Sequence, residues 1–400
     1  MSHFKLALLL GMTVALGPLA LDAYLPAFPE IAASFAIPHS DVGLTLSAYV
    51  ITLGLAQLVG GPLSDRYGRK VILFSGLAVF AVAGAWVAWA DTLGEMIFWR
   101  VLQGIGGAFC AVSVPAIVRD EVSGQDAARL FGLIGLIMFI APAAAPSLGA
   151  LMLALGDWHW IFLLLTGYAA VLAVVLQLAL FPALTPRPPA ITPVKTLVTN
   201  YWLVLRHKPT MRFVGIQVFC FSAMLLFITH ASFIYQERFG LSNSLFSVLF
   251  AANIALMAVL NLINRRLLRY FFSVVLLKNQ VVMQFLALLA LVGVVAWSGP
   301  FWAVAGCIIV AIGFQGGIVP NNMANALEFF PRLGGTAAAL LGASQFTIAG
   351  LVSALSAAFW GDDLLLIVIS MLVCSTGALL LALGAPAAVA REKAAIEEKS

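Results

Sequence analysis

Twelve apolar segments, each close to the length of one bilayer crossing, recur along this chain. They occupy 6–29, 42–62, 71–90, 95–118, 127–152, 158–181, 212–236, 243–263, 272–297, 300–327, 335–358 and 364–385. A helix needs about 20 apolar residues to cross the hydrocarbon core. Inside that core every backbone polar group must be satisfied within the structure, which restricts spanning elements to helices and closed barrels. The pattern predicts an all-α integral membrane protein with twelve transmembrane helices. Composition agrees: 62% of the residues are hydrophobic and 10% charged, whereas soluble chains carry about 25% charged residues. The N-terminal apolar run is longer than a secretory signal and continues through Asp22, Pro26 and Pro29. It is read as a retained first span.

The longest polar stretch, 182–211, holds Pro186, Arg187, Pro188, Pro189, Pro193, Lys195, Arg206 and Lys208. It divides the chain into two halves of six spans. The expected organisation is an N-terminal six-helix bundle at 1–182, a cytoplasmic linker at 183–211, a C-terminal six-helix bundle at 212–386 and a charged cytoplasmic tail at 387–400. Basic residues orient the spans, because they accumulate in cytoplasmic loops. With the N-terminus inside, nineteen of the twenty-one Lys and Arg face the cytoplasm, including Lys5, Lys70, Arg119, Arg265, Arg332, Arg391, Lys393 and Lys399. Only Arg238 faces out, and Arg100 lies within a span. Both termini are expected to be cytoplasmic. Two equal halves imply pseudo-symmetric bundles with a substrate site between them near the midplane.

Intramembrane charge is expensive, at about 3 kcal/mol or more near the centre of a span. Asp22 and Arg100 are therefore the leading functional candidates. Asp22 lies 17 residues beyond Lys5, roughly 25 Å along a helix. Arg100 lies 19 residues before Arg119, roughly 28 Å along its own. Both sit at similar depth in the outer half of the membrane. Two readings stand: an acid and a fixed cation forming a proton switch, or a static ion pair bracing two helices. His230 is a further titratable residue within a span, read either as a proton carrier or as a packing residue. Tyr24, Met138, Phe139, Met224, Asn253 and Gln345 join it as candidates for a substrate cavity. Methionines give an adaptable apolar wall, and amides facing lipid are costly.

Between the second and third spans the chain reads Gly61-Pro62-Leu63-Ser64-Asp65-Arg66-Tyr67-Gly68-Arg69-Lys70. Gly68 permits a tight turn, Asp65 suits a helix N-terminus, and Arg66 and Arg69 can pair with Asp120 and Glu121 at the end of span four. This loop resembles the signature loop of the major facilitator superfamily, and the resemblance implies a cluster that latches the two halves in the outward-facing state. Arg100-Val101-Leu102-Gln103-Gly104-Ile105-Gly106 is similar to a second motif of the superfamily, linked by that resemblance to proton transfer. Pro142, Pro146 and Gly149 in span five resemble the antiporter motif of drug:proton exporters, although Ala145 and Ala150 stand where that motif has glycine. A kinked helix without directional meaning is the competing reading. Asp22-Ala23-Tyr24-Leu25-Pro26-Ala27 resembles the bicyclomycin/chloramphenicol-resistance (Bcr/CflA-type) branch of twelve-span drug:proton antiporters. The resemblance rests mostly on the N-terminal half. The corresponding loop of the second half, 261–269, keeps only its arginines.

Together these features imply a proton-coupled secondary transporter that exports small lipophilic drugs or toxic compounds by alternating access. An exporter of one metabolite, such as a nucleoside, sugar or siderophore, is the alternative on the same fold. A channel or membrane enzyme is the alternative of a different class, disfavoured because no catalytic constellation, metal cluster or phosphate-binding loop is recognisable. The proton gradient is the expected energy source, with no cofactor and no metal. The expected partners are a small lipophilic substrate, protons and the lipid bilayer, with no nucleic acid, and a monomer is expected. The expected location is the bacterial inner membrane, with multiple passes. Cys110, Cys220, Cys307 and Cys374 stand singly in apolar runs and are read as small hydrophobes.

Overall fold

A computed structural model describes residues 2–122, 124–184, 193–330, 333–361 and 363–384. The expectations placed on Pro186, Arg187, Pro188, Pro189, Arg332, Arg391, Lys393, Lys399 and the tail at 387–400 lie outside the described residues. Secondary structure among the described residues is helical. The helices are α1 (His3–Asp22), α2 (Phe28–Phe35), α3 (His39–Tyr67), α4 (Arg69–Val87), α5 (Leu93–Glu121), α6 (Gly124–Leu155), α7 (His159–Val175), α8 (Val194–Arg206), α9 (Lys208–Ser232), α10 (Asn243–Leu267), α11 (Ser273–Ala296), α12 (Phe301–Gly313), α13 (Gln315–Glu328), α14 (Gly334–Trp360) and α15 (Leu364–Gly384). Among the described residues, twelve helical stretches are long and apolar enough to cross a membrane, as the sequence predicts.

The chain divides into two compact units, Met1–Val194 with Ala231–Ala251, and Lys195–His230 with Ala252–Ser400. The dividing points differ from the sequence expectation of bundles at 1–182 and 212–386. The C-terminal end of α9 and the first turns of α10 cluster with the first unit. The stretch 183–211 is the expected linker between the two bundles. It contains α8, whose buried Val204 packs on Ala337 and Leu340 of α14.

In the first unit α5 packs on α3 and α4, α1 on α6, and α4 on α7. Lipid tails are as apolar as leucine, so close packing rather than water exclusion holds such helices together. The glycines of α5 supply the closeness. A Cβ on Gly106 would lie 2.6 Å from the Gly76 carbonyl oxygen and 2.6 Å from the Phe80 nitrogen, so α4 and α5 touch backbone to backbone there. In the second unit Phe213, Ile216, Cys220, Val281, Ile318 and Leu341 belong to one buried core.

The first span is not the continuous helix 6–29 that the sequence reading sets. α1 stops at Asp22, a short 3₁₀ turn covers Leu25–Ala27, and α2 begins at Phe28. Pro26 explains the position of the break. Proline has no N–H to give the carbonyl four residues earlier, and its ring clashes with that carbonyl. Four residues before Pro26 is Asp22. The acid therefore sits on the last residue of a helix whose continuation its own sequence forbids.

Candidate functional site

Asp22 is buried, and its Oδ1 has no hydrogen-bond partner among the described residues. Arg100, on α5, is fully buried. Its Nη1 donates to Gln103 Oε1 at 2.7 Å, and its Nη2 donates to the Ala20 carbonyl at 3.0 Å. The guanidinium lies 4.7 Å from the ring centre of Tyr24 and 4.4 Å from that of Tyr49, within the range of cation–π attraction. The last four carbonyls of a helix lack intrahelical donors and carry its negative pole. Ala20 provides one of these in α1. Arg100 thus compensates its charge at the C-terminal end of α1, two residues from Asp22, and not at the carboxylate.

This corrects one of the two sequence readings. Among the described residues no ion pair joins Asp22 to Arg100, so a static brace between the two charges is absent. A partner that is a backbone carbonyl does not titrate, so the Arg100 clamp on α1 does not use the Asp22 carboxylate. Tyr24 is held in the same group. Thr45 spends its hydroxyl proton on the Val42 carbonyl at 2.7 Å, so the Tyr24 hydroxyl donates to Thr45 at 3.0 Å. Gln103 belongs to the motif that begins at Arg100, whereas Thr45 and Tyr49 were not singled out from the sequence. Their polar groups one turn apart in the apolar run of α3 were the available signal.

The antiporter-motif residues meet this site through backbone. Pro142 and Pro146 lie inside α6, and a Cβ on Gly149 would lie 1.7 Å from the Ala23 carbonyl oxygen. Gly149 therefore presses α6 against the residue that follows Asp22.

At the opposite end of α3 the signature loop forms the expected charged cluster. Gly68 adopts φ 93° between α3 and α4, the left-handed region that glycine enters without steric cost. Arg69 donates from Nη1 to Asp65 and, at 3.3 Å, to Ser64 Oγ, and from Nε to Asp120 Oδ2 at 2.8 Å. Arg66 and Glu121 do not form the ion pairs anticipated for them among the described residues. Arg66 lies 5.5 Å from the centre of its neighbour Tyr67. Glu121 lines a cavity of 440 Å³ with Arg69, Lys70 and Asp120. Gly61 sits in α3 with open space where a side chain would project.

The cavity candidates occupy different environments. Tyr24 is fully buried, Met138 is exposed, and Phe139 and Met224 are half-buried. His230 is buried, with Nε2 2.9 Å from Ser356 Oγ. Asn253 is buried. Gln345 accepts a hydrogen bond from Gln217 Nε2 at 2.8 Å, and Gln217 also accepts from Asn322 at 3.1 Å. The second unit holds a further cluster that the sequence reading did not assemble. Asn264 of α10, Gln280 of α11 and Asn321 of α13 exchange hydrogen bonds of 2.8 to 3.2 Å. Asn264 lies near the end of α10, within the stretch 261–269 that corresponds to the signature loop of the first half. There an amide cluster stands where the first half has the Arg69 ion pairs, alongside Arg265, Arg266 and Arg269.

Comparison with known proteins agrees with this architecture. Residues 10–354 match the family model described as Major Facilitator Superfamily. A bicyclomycin resistance protein homolog of Haemophilus influenzae is 27% identical over 374 residues, covering 93% of this chain and 94% of the relative. A chloramphenicol resistance protein of Pseudomonas aeruginosa is 29% identical over 353 residues, covering 83% and 79%. These names match the branch that the segment beginning at Asp22 resembles. The partially occluded, inward-open xylose transporter XylE of E. coli superposes with a TM-score of 0.75 at 13% identity, covering 95% of this chain and 96% of the other, a likeness of fold. The matched family model, spanning most of the twelve helices, places the chain as a multi-pass membrane transporter, and it belongs to the Major Facilitator Superfamily.

Proposed function

We propose that the protein exports small lipophilic compounds, antibiotics among them, in exchange for protons that enter through Asp22. The observation that carries this reading is the buried Asp22 carboxylate, with one oxygen unpartnered, beside an arginine compensated by a helix end. A charge buried without a partner is costly, so such an acid is suited to alternate between proton-bound and proton-free states. The relatives named for bicyclomycin and chloramphenicol resistance support drug export as the cargo class. Arg100 positions the turn that carries the acid. The Arg69 cluster holds the α3–α4 turn to the end of α5 and works as the conformational latch. Export by alternating access then couples proton entry to substrate exit. We further infer a bacterial inner-membrane location with both termini cytoplasmic, from the charge asymmetry of the loops, and a monomeric unit of function.

Purified protein in proteoliposomes with an imposed pH gradient tests this reading against a panel of lipophilic antibiotics, nucleosides and sugars. Antibiotic movement that follows the gradient, collapses with a protonophore and needs no ATP is the expected result. Movement indifferent to the gradient, or confined to one metabolite, refutes it.

A further inference from the structure

Between Asp157 and Glu237 the sequence contains no Asp or Glu, while Arg187, Lys195, Arg206, Lys208 and Arg212 fall in this interval. α8 lies inside it and is amphipathic in two directions. One face is packed: Val204 is fully buried against Ala337 and Leu340, with Tyr201 beside it. The neighbouring face is apolar and exposed. Val198 is 62%, Trp202 53% and Leu205 42% accessible. These three positions, spaced four and three residues apart, share one stripe of a helix. Lys195 and Arg206 border the same stripe at helical spacing, and the Arg206 guanidinium lies 4.7 Å from the centre of the Trp202 ring.

An exposed apolar stripe that includes tryptophan and is edged by basic residues fits one environment well. Helices of this kind lie in the interfacial plane of a bilayer, with apolar side chains entering the acyl boundary and basic heads among anionic headgroups. Tryptophan is enriched at that depth. Arg206 over Trp202 gives the cation an apolar support while its outer edge stays free to meet phosphate. The absence of any acid over this interval makes the attraction one-signed.

We propose that α8 is a lipid-docking helix that rests in the headgroup layer and binds anionic phospholipid through Lys195 and Arg206, with Val198, Trp202 and Leu205 inserted. Docked in this way, α8 ties the segment between the halves to the membrane surface, and the anionic lipid content sets how firmly.

The test is amide hydrogen exchange of the full-length protein in nanodiscs of phosphatidylcholine alone and of phosphatidylcholine with phosphatidylglycerol. Peptides covering 194–206 should exchange more slowly in the phosphatidylglycerol discs, and high salt should remove the difference, since surface attraction is screened. Each basic residue near an anionic surface contributes about 1 kcal/mol, so the double variant Lys195→Gln/Arg206→Gln should reduce the lipid-dependent protection roughly thirtyfold. The charge-conserving variant Lys195→Arg/Arg206→Lys should retain it. Trp202→Ala should raise exchange in both kinds of disc. Equal exchange of 194–206 in the two lipids overturns the proposal. So does a lipid effect that survives loss of both charges, or one that free glycerol phosphate reproduces.

Discussion

Replacing Gly149 by alanine tests how α6 and the end of α1 are joined. The added Cβ would lie 1.7 Å from the carbonyl oxygen and 2.9 Å from the carbonyl carbon of Ala23, where ordinary contact begins at 3.4 Å. The obstructing atoms all belong to the backbone of Ala23, so no side chain can rotate away, and α6 or the turn after α1 must give by well over an ångström. Two effects compete. Alanine in place of glycine favours a helix by about 1 kcal/mol. Overpacking a tight contact costs about 3 kcal/mol at the upper end of its usual range, and a backbone-to-backbone clash belongs there. The steric term wins, leaving a net loss of about 2 kcal/mol. Gly167 on α7 has no atom within 4 Å of its would-be Cβ and serves as the matched control. Gly167→Ala is expected to melt at or above the wild-type temperature. Thermal unfolding of detergent-purified protein, followed by tryptophan fluorescence, should show Gly149→Ala melting several degrees below it. Transport per folded molecule should also fall, because the displaced residue adjoins Asp22. A Gly149→Ala protein that melts with the Gly167→Ala control, and transports normally, would refute the contact and the reasoning built on it.

Asp22→Asn keeps the shape of the acid and removes its proton, so proton release on substrate addition is expected to vanish while the melting temperature holds or rises; wild-type release from a folded variant would move coupling elsewhere, with His230 next in line. Arg100→Lys forfeits the two-pronged donation to Gln103 and Ala20. A charged hydrogen bond contributes about 1.5–3 kcal/mol, so a loss of about 2 kcal/mol in stability and a shifted pH profile of transport are expected, and unchanged values of both would contradict the clamp. Because no ion pair joins the two among the described residues, Asp22→Asn should change the melting temperature alike in the wild-type protein and in Arg100→Met; an Asp22→Asn change that destabilises the wild type yet rescues Arg100→Met would reinstate the salt bridge. Asp65→Asn leaves Arg69 with Asp120 as its one charged partner in the cluster, so transport should drop at near-normal protein yield, and normal transport would remove the latch role.

The architecture was legible because membrane burial writes itself into long apolar runs, and the twelve spans emerged with only local displacement. The same averaging hid what interrupts a run. Pro26 and Pro29 were visible, yet the break falls at Asp22 because the blocked carbonyl lies four residues upstream, a relation that hydropathy does not report. α8 was hidden for the opposite reason: flanking prolines and basic residues made 183–211 read as a polar connector, although Leu197, Tyr201 and Val204 follow a helical period. At the site, depth arithmetic put Asp22 and Arg100 at one level but could not turn a side chain, and Arg100 points to a carbonyl of the acid's own helix. The Arg69–Asp120 pair followed from the loop motif because opposite charges at neighbouring helix ends have few other partners. The amide cluster had no such cue, since an amide satisfies an amide, a carbonyl or water equally well.

The replacement of ions by amides in the second unit has a consequence for how the protein feels its surroundings. Asn264, Gln280 and Asn321 carry no net charge, so ionic strength, membrane voltage and local pH exert almost no force on their mutual bonds. Arg69 with Asp65 and Asp120 is a charged assembly near a solvent boundary, where counter-ions weaken attraction within a Debye length of about 8 Å at physiological salt. The charged cluster of the first unit is thereby open to the chemistry of the adjoining aqueous phase, and the amide cluster of the second is insulated from it. Of these two clusters, salt should loosen the one built on Arg69 and leave the one built on Asn264 unchanged.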